Sequence, residues 1–210
     1  MGRGSKRSRV GSRPVASRAR ARCAGSYARV RIAFAAVTAF AALAAALLPG
    51  VAAAEAADQV KAAFLFNFAR YVEWPANAFA GASAPIRLCL IAERDFEAVV
   101  DATVSGRSVG ERPVQVEGIH GLAAAKGCHL LFLGEASGPS APVVVEQLGA
   151  LAIFTISDAP GFAAEGGIAN FILVDSKIRF EINPSAARRA GLKISSSLLR
   201  LAKLVGEEGA

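Results

Sequence analysis

Three short apolar runs constrain this chain most. Ile86–Ile91, His129–Leu133 and Leu151–Ile156 are dominated by Ile, Leu and Phe, and polar residues barely interrupt them. A strand sends successive side chains to opposite faces, so a run that is apolar throughout has no wet side. Such strands belong in a parallel sheet covered by helices on both faces. The intervening segments agree: Asp95–Val104 and Val143–Leu148 have helical patterns, and Pro113–Glu117 alternates with Val114 and Val116 on one side. The sequence predicts one α/β domain with a mostly parallel central sheet.

Other elements complete the plan. Val60, Phe64, Phe68 and Tyr71 recur at helical spacing over about Ala57 to Trp74, and Leu65, Phe66, Ala69 and Val72 widen the apolar face. A helix this apolar must be buried in the core or against a partner. Pro75 ends it. Phe171–Val174 and Lys177–Ile182 flank Asp175-Ser176, the pattern of an antiparallel hairpin. In its second strand Ile178, Phe180 and Ile182 face one way, leaving Lys177, Arg179 and Glu181 for a wet face. A short helix over Ser185–Ala190 follows Pro184. A last helix, capped by Ser195 or Ser196, carries the stripe Leu198, Leu201, Ala202 and Val205.

The net charge of +7 is unevenly distributed. Residues 1–31 hold ten of the 24 Lys and Arg and none of the 17 Asp and Glu, which leaves a surplus of three acids on the rest. A mildly acidic body lacks the basic footprint of a nucleic-acid binder. After the basic stretch, Ile32 to Leu48 is uncharged and apolar, Pro49-Gly50 interrupts it, and Ala52, Ala53 and Ala54 follow. This is the three-part pattern of a secretory signal. The expected organisation is a signal peptide over 1–54, cleaved near Ala54, and a periplasmic domain over 55–210. A retained membrane anchor is the alternative.

Cys23 falls in the leader, so the exported domain keeps Cys89 and Cys128. An even count in an oxidising compartment favours one disulfide; two buried thiols packing as small hydrophobes is the other reading.

Gly106-Arg107-Ser108-Val109-Gly110 matches a nucleophile-elbow pattern, but a helix precedes it and a strand follows, the reverse of what an elbow needs. Cys128-His129 and His120 lack metal-ligand spacing. No catalytic residue, metal or cofactor is therefore assigned. Ser157, Asp158, Gly161 and Phe162 follow a strand, at the carboxyl edge where open α/β sheets hold ligands, and are candidates for binding or for a simple chain reversal.

Three stretches together resemble the YfiR-like family of bacterial periplasmic proteins. They are Val60-Lys61-Ala62-Ala63-Phe64-Leu65-Phe66-Asn67-Phe68 with Glu73-Trp74-Pro75; Ser157-Asp158-Ala159-Pro160-Gly161-Phe162; and Ile178-Arg179-Phe180-Glu181-Ile182-Asn183 with Ala190-Gly191-Leu192-Lys193-Ile194-Ser195-Ser196. The likeness spans about residues 58–205. It implies a regulator, not an enzyme: a repressor that binds the periplasmic sensor region of an inner-membrane diguanylate cyclase and so controls cyclic-di-GMP and biofilm formation. It also implies a homodimer, an outer-membrane lipoprotein that sequesters the repressor, and a Cys89–Cys128 disulfide. The expected partner surface is the first helix with Lys177, Arg179 and Glu181. The alternative is a periplasmic small-molecule receptor with its pocket mouth at residues 157–167.

Overall fold

The computed structural model describes residues 49–206. The first helix, α1, runs over Pro49–Tyr71. It starts at Pro49, not Ala57, because proline at the first turn of a helix gives up only an N–H that has no partner there. The signal-peptide expectation lies mostly outside the described residues. After β1 (Val72–Glu73) come β2 (Ile86–Ile91), α2 (Arg94–Val104), β3 (Ser108–Val109), β4 (Arg112–Gly118), β5 (Leu130–Leu133) and α3 (Ala141–Leu148). Then follow β6 (Phe154–Ser157), β7 (Ala169–Val174), β8 (Lys177–Ile182), α4 (Pro184–Arg189), β9 (Lys193–Ile194), α5 (Ser196–Leu199) and β10 (Lys203–Leu204).

Eight strands form the main sheet in the order β10-β8-β7-β6-β5-β2-β4-β3, and β1 pairs with β9 separately. The centre is parallel: β4 with β2, β2 with β5, β5 with β6, and β6 with β7. The expected two-sided burial is present in β2 and β5. Leu88, Leu90, Leu130 and Phe132 join a core under α1 and α2, while Cys89, Ile91, Leu131 and Leu133 join a second core under α3. β7 and β8 form the expected antiparallel hairpin. Its turn residues Asp175 and Ser176 both have positive φ, 48° and 58°, as a primed turn requires.

Three expectations need correction. The run from Leu151 yields a strand only from Phe154, since the Leu151 N–H donates to the Leu148 carbonyl and finishes α3. The predicted last helix is one turn, Ser196–Leu199. The chain then leaves the helix to pair β10 with the free edge of β8, where the Val205 N–H donates to the Ile182 carbonyl at 2.9 Å. Sheet hydrogen bonds replace those a longer helix would have made, and Leu201 stays 70% exposed. Glu181 is not on a wet face. It is 7% exposed, lies opposite Lys203 of β10, and accepts from the Lys203 ammonium at 2.7 Å.

Candidate functional site

The apolar face of α1 is fixed by rings. Phe68 packs edge-on to Phe180 at 5.2 Å and against Phe154 at 5.5 Å, and Phe64 meets Phe180 at 5.3 Å. This seats the middle of α1 over β6–β8. The amino-terminal part of α1 and the tip of the β7–β8 hairpin flank a groove of about 820 Å³. Val60, Phe64, Leu173 and Ile178 line it, with Lys177 and Arg179 at its edge. Leu173 is 70% exposed, and Val60 and Val174 are 43% exposed. Large apolar side chains grouped this way mark surfaces that meet another molecule. Neither Lys177 nor Arg179 forms a salt bridge among the described residues, so the rim offers positive charge. Of the three hairpin residues expected to act together, Lys177 and Arg179 reach this groove and Glu181 does not.

A second concavity follows from topology. The chain leaves β2 for β4 on one side, while β5 leads to β6 on the other, so the loops after β2 and β5 diverge. Open α/β sheets place ligand crevices at such a point. Here the crevice measures about 500 Å³, with Glu93 after β2, Gly134–Ser137 after β5, and Phe96 and Phe132 as apolar lining. Asp158 is the one residue of the expected 157–167 mouth that lines it. Asp158 ties three elements together. One carboxylate oxygen accepts the Lys61 ammonium of α1 at 2.7 Å, and the other accepts the Glu135 N–H at 2.7 Å. Lys61 also lies 3.7 Å from Asp58. Asp58, Glu93, Glu135 and Asp158 outnumber this single lysine, so the crevice disfavours anions.

Ser157, Gly161 and Phe162 serve the loop instead. The Ser157 hydroxyl donates to the Leu133 carbonyl at 2.7 Å and accepts the Ala159 N–H at 3.0 Å. Gly161 turns the chain at φ +79°, and Phe162 is buried in the core under α3. Asn170 and Asn183 hold the same loop: Asn170 accepts the Ala163 N–H, and Asn183 donates to the Ala163 carbonyl while capping α4 at the Ala186 N–H.

Cys89 and Cys128 form a disulfide, with Cα atoms 5.9 Å apart. His129, next in the chain, is a buried packing residue. Phe79 stacks on it at 4.4 Å, Arg112 lies 3.8 Å from the Phe79 ring, and Trp74 donates to the His129 carbonyl at 3.1 Å. Burial is the main cause holding the imidazole pKa below its ordinary value. The nearby Ala78 carbonyl opposes this, and the Arg87 and Arg112 charges add to it. Ser108 is exposed in β3, with α2 before it and β4 after it, so its surroundings do not form an elbow.

Sequence reasoning missed Lys61 as a tie. Its signal was there: one cation in an apolar stretch of a buried helix needs a partner. Among the described residues there is no group of three or more His, Cys, Asp or Glu able to hold a metal ion. No described helix is long and apolar enough to cross a membrane. No curated protein matches the chain. A family model described as YfiR/HmsC-like matches residues 58–203, from within α1 to the start of β10, and the chain therefore belongs to the YfiR/HmsC-like family.

Proposed function

We propose that this protein is an exported repressor that binds the periplasmic sensor region of an inner-membrane diguanylate cyclase and lowers cyclic-di-GMP output. The family match over nearly all of the described domain carries the reading. The apolar groove between α1 and the β7–β8 hairpin, rimmed by Lys177 and Arg179, is the surface we assign to that partner. An outer-membrane lipoprotein competing for the repressor would release the cyclase, and the working form is a homodimer. Replacing both Lys177 and Arg179 by Ala should weaken cyclase binding about tenfold, mainly through slower association, because rim charges steer encounter. The check is binding of the purified variant to the detergent-solubilised cyclase at two salt concentrations. Unchanged affinity at low salt would remove these residues from the interface.

A second reading, a small-molecule receptor, is favoured by the crevice at the carboxyl ends of β2 and β5. A thermal-shift screen of amino acids and other periplasmic metabolites tests it. A hit that disappears in Asp158→Ala supports the crevice, and no stabilisation by any compound counts against it.

A further inference from the structure

A different cavity, on the α3 side of the sheet, has the opposite character. A slot of about 310 Å³ runs between α3 and α4, with Val145, Leu148, Ile153 and Ile168 as its walls. Small residues keep it open. Ala186 of α4 and Ala190, the residue that ends it, face the slot, and Gly166 (φ +108°) gives it an edge where a Cβ would come within 3.2 Å of Val145. We infer that this slot binds an amphipathic anion: a compact apolar body carrying one acid group. This goes beyond the proposed cyclase partner and does not depend on it.

The polar inventory sets the ligand class. Two side chains in the lining supply hydrogen-bond donors. Thr155, only 6% exposed, accepts the Ile168 N–H at 3.2 Å, and its own hydroxyl proton meets no acceptor among the described residues. Arg189 lies at the rim, exposed, with no salt bridge or side-chain hydrogen bond among the described residues. An adjoining hollow of about 490 Å³ shares Ile153, Arg189 and Ala190 with the slot and adds Lys126. Neither lining contains an Asp or Glu. On a body with more acids than bases, two joined hollows carrying only cations form a local reversal of potential. A guanidinium pairs with a carboxylate through two parallel hydrogen bonds. The volume sits at the lower end of the roughly 300–1,000 Å³ of ligand pockets, which selects a short chain or a single ring system.

The test uses the mature protein and three probes of one length: octanoate, octanol and octylamine. Methyl NMR reads where each binds, and the titration gives affinity. Octanoate should shift the methyls of Val145, Leu148, Ile153 and Ile168 and bind at least tenfold tighter than octanol, with octylamine weakest. Arg189→Gln should erase the advantage of octanoate over octanol while leaving the fold intact. Val145→Trp, a substitution at a half-buried wall position, should fill the slot and abolish binding of all three. Octanoate shifts that map elsewhere, octylamine binding as well as octanoate, or an unchanged octanoate-to-octanol ratio in Arg189→Gln would overturn the inference. So would no octanoate binding at about 10 mM, ten times a millimolar Kd.

Discussion

Removing the Cys89–Cys128 bond should cost this domain a large part of its stability. The pair is separated by 39 residues, and the loop it closes contains α2, β3 and β4. In the folded protein the bond joins places that β2–β5 pairing already holds together, since Cys89 lies opposite Leu131. Its effect therefore falls on the unfolded chain, where it forbids the expanded states of that loop. The chain-entropy relation gives roughly 4 kcal/mol for a loop of this length. That compares with about 5–15 kcal/mol for the whole stability of a typical domain. At about 2–4 °C per kcal/mol for a domain of this size, Cys89→Ala with Cys128→Ala should lower Tm by roughly 8–16 °C. Urea unfolding of the wild type and the double variant, both followed by circular dichroism, measures the difference. Both sulfurs are buried, so reductant should act on the native protein only as fast as the domain opens. A double variant within about 1 kcal/mol of the oxidised wild type would refute the loop-entropy reasoning.

Other expectations rest on single contacts. His129 is held neutral by burial, so the unfolded chain binds its proton more readily than the folded one. Stability from this group is complete above the ordinary pKa of 6.5 and is lost as pH falls below it; urea midpoints should show that slope in the wild type and lose it in His129→Gln. Asn183→Ala removes the cap of α4 and the bond to the Ala163 carbonyl together, and should cost about 2–3 kcal/mol in the same assay. Asp175→Asn with Ser176→Gly relaxes two positive-φ residues in the hairpin turn, and should raise stability by about 1 kcal/mol.

The central sheet was legible because β2 and β5 are buried on both faces and their sequences say so at every position except Arg87. The hairpin was legible from alternation and a turn pair. What the sequence hid depends on neighbours. Alternation assigns Glu181 to a face, but only the return of β10 decides that Lys203 covers it. Leu198, Leu201, Ala202 and Val205 fit a helix stripe, yet the unpaired edge of β8 offered hydrogen bonds that a longer helix had to compete with. The site divides the same way. Asp158 was readable from its place after a strand, whereas its partner Lys61 lies 97 residues earlier and the two meet only in the fold. The slot beside α3 gathers residues from four separate segments, most of them small and apolar, and no local pattern announces it.

The regulatory reading is tested most directly by cyclic-di-GMP in living cells. Leu173→Glu places a charge at the most exposed large apolar side chain of the α1–hairpin groove, where it should disturb no core packing. Deleting the gene should raise cyclic-di-GMP, restoring the wild type should bring it down, and restoring Leu173→Glu at equal periplasmic abundance should leave it high. Unchanged cyclic-di-GMP on deletion, or full repression by the Leu173→Glu protein, would contradict the account.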